Sequence, residues 1–272
     1  MIKIGYNTAD DYKRLSAVKR WRENMKALIT GASSGIGREF AYRLSDMGYD
    51  IVIAARRKDR LCEIKEKLKD RSVEICVCDL GREDDCRELF DRHKDIDVLI
   101  NNAGFGVFGE FDSTSLEKEL DMLDVNIYAL HILTKLYYRE MVRKNSGYIL
   151  NVGSSASFFP GPLFSSYYAS KAYVLRLTQA LSYELKKKKS RVRVAVLCPG
   201  PVDTEFNTVA GVKFRAGSVT AKYAAGYALK KMFNGRVVIV PSLQIKFVHF
   251  LSKIFPSAFT ERFVYRIQRA KQ

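Results

Sequence analysis

The sequence has little of several residue types and has no long apolar run. It contains one tryptophan, three histidines and six prolines in 272 residues. Its longest apolar stretches, such as residues 51–55 and 237–240, are far shorter than the roughly 20 residues that a membrane-spanning helix needs. The first residues also lack the apolar segment of a signal peptide. We therefore expect a cytoplasmic protein that does not span a membrane.

The cysteines and histidines do not form a metal-binding pattern. The five cysteines are an odd number, as is typical of reduced thiols in a cytoplasmic protein. Cys76 and Cys78 lie on one face of an apolar segment, but no second ligand pair follows at metal spacing. We interpret them as buried structural thiols. The histidines share no motif, so we expect no metal site.

Acidic residues are scarce relative to basic ones. There are 30 Asp and Glu against 46 Lys and Arg, which gives a formal net charge of +16. Such a charge can attract nucleic acid, an anionic membrane or a phosphate-bearing ligand. Basic residues are spread along the chain, apart from a local run at 186–189, and no nucleic-acid motif accompanies them. The pattern favours a solvated basic surface over nucleic-acid binding.

Short apolar runs alternate with amphipathic segments along the chain, and the pattern predicts a parallel sheet. Alternation of this kind is typical of strands that are joined by helices covering both faces of a sheet. The predicted strands are residues 25–30, 51–55, 73–78, 98–100, 148–152, 192–197 and 237–240. We therefore predict an α/β fold, a Rossmann-like doubly wound parallel sheet of about seven strands with helices on both faces.

Neither an internal repeat nor a low-complexity linker interrupts the pattern, so one domain is predicted over residues 25–242. Residues 1–24 are predicted to be a helical extension, with an amphipathic helix over 9–24. Residues 243–272 form a basic amphipathic tail, which Pro256 should divide into two helices. Such a tail can cap a substrate cleft, contact a second subunit or lie on an anionic membrane surface.

A glycine-rich turn follows the first predicted strand and leads directly into a helix. Glycines permit a tight turn and let the backbone approach a pyrophosphate, which then faces the N-terminus of the helix. Since glycine is common in all turns, it is the position between the first strand and first helix that indicates nucleotide binding. The candidate phosphate-binding residues are Gly31, Ser33, Ser34, Gly35, Ile36 and Gly37.

The end of the second predicted strand indicates which dinucleotide binds. An acidic residue there would bind the adenosine ribose hydroxyls of NAD. This chain has Ala55 instead, followed by Arg56 and Arg57. Guanidinium groups bind a phosphate through paired, charged hydrogen bonds. The sequence therefore predicts NADP(H) as the cofactor.

A tyrosine and a lysine share one face of a predicted helix. Tyr167 and Lys171 are separated by one helical turn, and an ammonium group beside a phenol lowers the phenol pKa. Such a phenol can serve as a general acid or base. Ser154 ends the fifth predicted strand thirteen positions earlier, and Ser155 is the neighbouring alternative. Tyr168 is expected to pack.

With these motifs, the chain resembles the short-chain dehydrogenase/reductase superfamily over residues 26–240. Residues 30–37 look like the family's T-G-x-x-x-G-x-G, and residues 101–104 match its N-N-A-G. The resemblance implies that Asn126, Ser154, Tyr167 and Lys171 form a catalytic tetrad. Further cofactor contacts that it implies are Asp79, Leu80, Asn102, Ala103, Gly104, Pro199, Gly200, Val202 and Thr204, besides Tyr167 and Lys171 themselves.

In the mechanism that the resemblance implies, Tyr167 gives a proton to the substrate oxygen while a hydride reaches the carbon. Lys171 would lower the tyrosine pKa and hold the ribose hydroxyls, and Ser154 would orient the oxygen. Asn126 would hold a water that links Lys171 to solvent. The family also implies a mobile loop over residues 205–220 that closes over substrate.

The expected function is hydride transfer between NADP(H) and a ketone or secondary alcohol. The apolar tail favours a steroid-like or acyl substrate. It also departs from the family's usual tetramer-forming end, so we expect a dimer. A non-catalytic protein that senses NADP(H) is the alternative, and retention of all four tetrad residues argues against it. An isomerase is less favoured, because relatives of that kind carry a different glycine spacing.

Overall fold

The computed structural model describes residues 25–69, 71–211, 219–251 and 257–269. The helix predicted over residues 9–24 lies outside the described residues, and so does part of the loop predicted over 205–220.

Seven parallel strands form one sheet, which confirms the predicted fold. All seven strands expected from the sequence are present, within about two residues of their predicted ends. They are β1 (Lys26–Thr30), β2 (Asp50–Ala55), β3 (Val73–Val77), β4 (Val98–Asn101), β5 (Tyr148–Val152), β6 (Arg193–Leu197) and β9 (Val238–Ile239). Their order across the sheet is β3-β2-β1-β4-β5-β6-β9. Two further short strands, β7 (Val202–Asp203) and β8 (Val219–Thr220), pair with each other in parallel.

Helices connect the strands, as the alternating pattern predicts. The α-helices are α1 (Gly35–Asp46), α2 (Lys58–Lys67), α3 (Glu83–Arg92), α4 (Leu116–Leu123), α5 (Leu130–Lys144), α6 (Ser165–Lys187), α7 (Phe206–Val209), α8 (Ala221–Phe233), α9 (Leu243–Leu251) and α10 (Ser257–Arg269). A π-helical segment (Asp124–Ala129) joins α4 to α5, and a 3₁₀ turn (Ser155–Phe158) follows β5.

The core lies in two layers because the central strands are buried on both faces. On one face, α1, α2 and α8 pack against the sheet through side chains such as Phe40 and Leu44. On the other face, α3, α5 and α6 contribute side chains such as Leu133, Tyr137 and Leu185. These side chains are almost completely buried, and burying apolar surface is the main favourable contribution to folding.

The strand order reverses at β1, which pairs with β2 on one side and with β4 on the other. Ligands of open α/β sheets bind at such a reversal, beyond the carboxyl ends of the strands. The glycine-rich turn lies after β1 and the N-N-A-G segment follows the main part of β4. The topology therefore brings both motifs to the same edge of the sheet.

A buried network of polar side chains ties the middle of the sheet to two helices. Asn101 Nδ2 donates to Thr134 Oγ1 and to Asn151 Oδ1, both at 2.9 Å. Asn151 Nδ2 donates to Thr178 Oγ1 at 3.0 Å. Because these groups are buried, their mutual hydrogen bonds replace those lost to water. The network fixes α5 and α6 relative to the strands that carry the site.

The basic tail forms two helices, α9 and α10, on either side of the position predicted to divide it. Ile245 of α9 lies beside Gly200, and the ring of His249 stacks on Phe158 with centroids 3.8 Å apart. Val264 and Gln268 of α10 are buried. The described tail therefore makes contacts within the chain. Among the described residues, no helix is long and apolar enough to cross a membrane.

Candidate active site

The turn after β1 has a backbone shape that only glycine adopts easily. Gly31 and Gly35 have φ values of +62° and +55°. A Cβ added at Gly31 would lie 2.7 Å from the Cα of Ala103, and one at Gly37 would lie 2.3 Å from the carbonyl oxygen of Gly31. Both are impossibly close contacts. The three glycines therefore allow the turn to form and to pack against the chain after β4.

Asn102 fastens this turn to the neighbouring strand. Its Nδ2 donates to the carbonyl oxygens of Thr30 and Gly31 at 3.1 and 3.0 Å. In the other direction, the backbone N–H groups of Asn102 and Ala103 donate to Thr30 Oγ1. Hydrogen bonds thus join the T-G and N-N-A-G motifs into one surface at the carboxyl edge of the sheet.

The two arginines after β2 reach the cleft, and each has an acidic partner within the chain. Arg57 donates to Ser33 Oγ at 3.0 Å and to Glu205 Oε2 at 2.8 Å. Arg56 Nη1 lies 3.8 Å from Asp79 Oδ2. The hydrogen bond from Arg57 lowers the pKa of Glu205. Glu205 was not identified from the sequence, because it is distant in the chain and belongs to no motif.

Tyr167 lies near the start of α6 in an aromatic and polar setting. Its ring is stacked on Phe164, with centroids 4.4 Å apart, and it is only 7% exposed. The Ser154 side chain forms a hydrogen bond with the Tyr167 hydroxyl. Ser154 Oγ also accepts from the backbone N–H of Ala156, which fixes its orientation. Ser154, rather than the alternative Ser155, is therefore the partner of the tyrosine.

Lys171 lies one turn further along α6 and is also buried. Its Nζ donates to the carbonyl oxygen of Val152, at the end of β5, at 3.0 Å. The same nitrogen lies 5.8 Å from the centroid of the Tyr167 ring. Burial lowers the pKa of Lys171 to about 8, since the charged form loses its hydration. The lysine is thus held against the tyrosine ring by the end of the strand.

The expected lowering of the tyrosine pKa is not what the structure gives. Burial raises the pKa of Tyr167, and the hydrogen bond with Ser154 opposes this effect only in part. Lys171 lies over the ring face and donates to the carbonyl of Val152, and the effect of burial on the phenol outweighs that of the lysine charge. In this arrangement the phenol is neutral at ordinary pH and carries the proton.

Asn126 lies behind this pair, in the π-helical segment. Its Nδ2 donates to the carbonyl oxygen of Phe105 and to Ser170 Oγ, and its Oδ1 accepts from the backbone N–H of Phe105. An added Cβ at Gly104 would lie 2.6 Å from Asn126 Oδ1 and 3.2 Å from Lys171 Nζ. The asparagine therefore fixes the chain after Gly104 close to the lysine. Most of its side-chain hydrogen-bonding capacity is used within the protein.

One cleft of about 930 Å³ runs from the glycine turn to Tyr167, and a dinucleotide fits its lining. Every residue predicted to bind the cofactor lines it except Gly37, whose place is under the turn. Of the predicted tetrad, Ser154, Tyr167 and Lys171 line it and Asn126 does not. The same cleft thus contains three kinds of group: the backbone of the glycine turn, which can bind a pyrophosphate, the two arginines, which can bind a phosphate, and the phenol of Tyr167, which can transfer a proton.

The far end of the cleft is apolar. Phe105, Val107, Phe108, Phe164 and Phe206 line it. The rings of Phe108 and Phe164 meet edge to face, and Phe206 lies 5.5 Å from Tyr167 by ring centroids.

Two polar side chains complete this end of the cleft. Tyr168 packs against Phe164, as expected, but also lines the cleft, and Gln268 from α10 reaches its hydroxyl. Gln268 was not identified from the sequence, because an amphipathic tail gives no signal of where it docks.

A family model described as short chain dehydrogenase matches residues 25–212. This is more than half of the chain. The chain belongs to the short-chain dehydrogenase family.

Relatives of this short-chain dehydrogenase include oxidoreductases from bacteria and animals. An uncharacterized oxidoreductase of Staphylococcus saprophyticus is 33% identical over 75% of this chain and 91% of its own length. Human dehydrogenase/reductase SDR family member 11 is 33% identical over 70% of this chain and 77% of its own length. The chain is therefore an oxidoreductase of the short-chain dehydrogenase family.

Solved structures of the family agree with the fold. A short-chain dehydrogenase from Sphingobium yanoikuyae in complex with NADPH is 33% identical, with a TM-score of 0.76 over 80% of this chain and 88% of that one. The bulky-bulky ketone specific alcohol dehydrogenase of Comamonas testosteroni is 28% identical, with a TM-score of 0.75 over 86% and 92%.

Away from the cleft of this short-chain dehydrogenase, Cys76 meets two side chains that the sequence did not connect with it. Cys76 Sγ lies 3.1 Å from His93 Nε2, which is also 3.5 Å from Glu74 Oε1. Burial raises the pKa of Cys76 and lowers that of His93. Cys78, expected to share its face and its buried thiol role, is partly exposed. We interpret the contact as a hydrogen bond between neutral groups at the edge strand.

Proposed function

We propose that this protein is an NADP(H)-dependent oxidoreductase that interconverts an apolar ketone and its secondary alcohol. The observation that carries the proposal is the position of Tyr167, which lines the same cleft as the glycine turn together with Ser154 and Lys171. Carbonyl reduction requires a proton donor beside a bound dinucleotide, and this cleft has a candidate for each.

In this proposal different groups act on the carbon and on the oxygen of the carbonyl group. The bound nicotinamide supplies the hydride for the carbonyl carbon. Tyr167 donates its proton to the carbonyl oxygen, and Ser154 holds that oxygen by a second hydrogen bond. Removing the proton leaves a phenolate, which the adjacent Lys171 stabilises electrostatically. In the reverse direction the same phenolate accepts the alcohol proton.

The positions of Lys171 and Asn126 suggest supporting roles. Lys171 lines the cleft beside Gly104, where it is placed to bond the ribose hydroxyls. Asn126 keeps Gly104 and Lys171 close together and acts as a positioning residue. A water that relays protons at this point would bond the remaining lone pair of Asn126 Oδ1 or the nearby backbone.

The preference for NADP(H) rests on Arg56 and Arg57. Both guanidinium groups line the adenosine end of the cleft, and the residue that ends β2 is Ala55 rather than an acid. Their bonds to Asp79 and Glu205 are exposed, so a phosphate can replace the carboxylates at modest cost. The relative from Sphingobium yanoikuyae, solved with NADPH, supports the same assignment.

The apolar end of the cleft supports a bulky, apolar substrate. Five aromatic and aliphatic side chains surround the space next to Tyr167, which suits a hydrocarbon body and excludes a strongly hydrated one. The bulky-bulky ketone specific relative from Comamonas testosteroni supports this substrate class. The expected dimer, the cytoplasmic location and the three domain segments stay predictions.

The test is to follow NADPH oxidation with purified protein and a panel of aliphatic, steroid-like and acyl ketones. We expect turnover with bulky apolar ketones and more with NADPH than with NADH. Tyr167→Phe should lower kcat by at least about 10³-fold with little change in NADPH affinity, since it removes only the proton donor. Tyr183→Phe, an exposed tyrosine on the same helix, is the matched control and should behave as the wild type.

Binding of NADPH without oxidation by any ketone in the panel would favour the alternative, a non-catalytic sensor. Retained turnover in Tyr167→Phe would mean that another group donates the proton.

A further inference from the structure

A glutamine from the C-terminal tail is buried in the wall of the substrate cleft with half of its amide unused. Gln268 is 0% exposed and lines the cleft. Its Nε2 donates to the hydroxyl of Tyr168 at 2.5 Å. Within the described part of the chain, its Oε1 is buried and has no hydrogen-bond partner.

This arrangement leaves one polar end of the buried amide without a hydrogen-bond partner, whichever way the group is oriented. If the amide is turned by 180°, Oε1 accepts from the Tyr168 hydroxyl and the NH₂ group becomes the free end. A buried amide group without a partner is costly, and most such groups in folded proteins are satisfied. A free polar end in the wall of a binding cleft therefore points to a ligand group that bonds it.

Tyr168 gives this position a second hydrogen-bonding atom. Burial raises the pKa of Tyr168 to about 12, so its hydroxyl stays neutral. Gly161 contacts the ring so closely that an added Cβ would lie 2.2 Å from it, which fixes where the hydroxyl points. The ring centroid lies 6.3 Å from that of Tyr167. The Tyr168 side chain therefore belongs to the same wall of the cleft as the Tyr167 ring.

The chemistry of the pair selects the ligand group. Both side chains are uncharged, and each can donate or accept a hydrogen bond. Phe164, between the two tyrosines, makes the surroundings apolar. A carboxylate would lose its hydration there without gaining a cation, whereas a neutral hydroxyl or carbonyl oxygen would gain two partners.

We propose that Gln268 and Tyr168 form a polar subsite for a second, neutral oxygen on the substrate. The substrate class is then an apolar ketone that carries a hydroxyl or a second carbonyl group at a distance from the reacting carbonyl. This inference rests on the proposed function, since it names the substrate class of the same cleft. It also gives the tail a function: α10 supplies a residue that determines specificity.

The test compares matched ketones that differ in one oxygen. A cyclic apolar ketone and its analogue with a remote hydroxyl are titrated into protein loaded with NADP⁺, which cannot reduce a ketone, and the two dissociation constants are measured by calorimetry. We expect the wild type to prefer the hydroxylated ketone by about five- to tenfold, the effect of one or two neutral hydrogen bonds. Gln268→Leu should abolish this preference, because Leu fills the volume but cannot bond the oxygen.

Two further variants make the test specific. Tyr168→Phe should lose part of the preference, and the double variant should lose no more than Gln268→Leu, because both residues bond the same oxygen. Gln244→Leu, which alters an exposed glutamine of the same tail, should keep the wild-type preference. Unchanged thermal unfolding of Gln268→Leu shows that the tail remains docked.

The outcomes separate the subsite from the proposed reaction. Equal affinities of the wild type for the two ketones, or an unchanged preference in Gln268→Leu, would overturn the subsite even if both ketones are reduced. A preference that depends on Gln268, without any NADPH oxidation, would support the subsite and refute the reaction.

Discussion

Replacing Lys171 by methionine should stabilise the protein while it abolishes turnover. Burial lowers the pKa of this lysine from 10.5 to about 8. A difference of about 2.5 pH units corresponds to roughly 3 kcal/mol by which folding disfavours the charged side chain below pH 8. Methionine has a similar length and no charge. It leaves the carbonyl of Val152 without its donor, which costs about 1 kcal/mol.

The expected net gain for Lys171→Met is therefore about 2 kcal/mol in the free energy of unfolding at pH 7. The gain should depend on pH in a defined direction. Above about pH 8 the folded wild type releases the lysine proton while the unfolded chain keeps it until about pH 10.5, so the wild type becomes more stable as pH rises. The advantage of the variant should shrink across this window.

Urea unfolding of nucleotide-free protein at pH values from 7 to 10.5 measures both effects. Lys186→Met, which changes an exposed lysine on the same helix, is the control and should show neither effect. A variant that is less stable than the wild type at pH 7, or a difference that does not vary with pH, would refute the reasoning.

Further changes test the cleft and its support. Arg57→Ala should weaken NADPH about ten- to hundredfold and NADH little, and an equal loss of both in fluorescence titrations would contradict the phosphate role. Glu205→Gln should strengthen NADPH by a few-fold, since it removes the carboxylate that competes for Arg57, and unchanged affinity would exclude this competition. Gly37→Ala should abolish dinucleotide binding, because its Cβ meets the carbonyl of Gly31, and wild-type affinity would contradict this. Asn151→Leu should cost about 2–4 kcal/mol in urea unfolding, since it breaks the buried network, and a loss below 1 kcal/mol would refute that role.

Local patterns in the sequence were sufficient to predict the sheet and most of the cleft. Alternating apolar and amphipathic segments gave all seven strands, because the burial of a parallel sheet on both faces imposes that pattern directly on the chain. The glycine turn could be predicted for a similar reason. The positive φ of Gly31 and Gly35, and the close approach of neighbouring atoms to them, exclude a residue with a side chain. Tyr167 and Lys171 share a face because helical geometry alone decides it.

Tertiary structure decided the features that depend on which distant residues meet. The sequence could not show that Glu205 pairs with Arg57, or that Gln268 lies against Tyr168, because long-range side-chain contacts leave no periodic signal. It also predicted a lowered pKa for Tyr167, whereas burial raises it. Spacing reports which charge is near a phenol, but the pKa depends on how far the surrounding fold removes that phenol from water, and only the packed structure determines this.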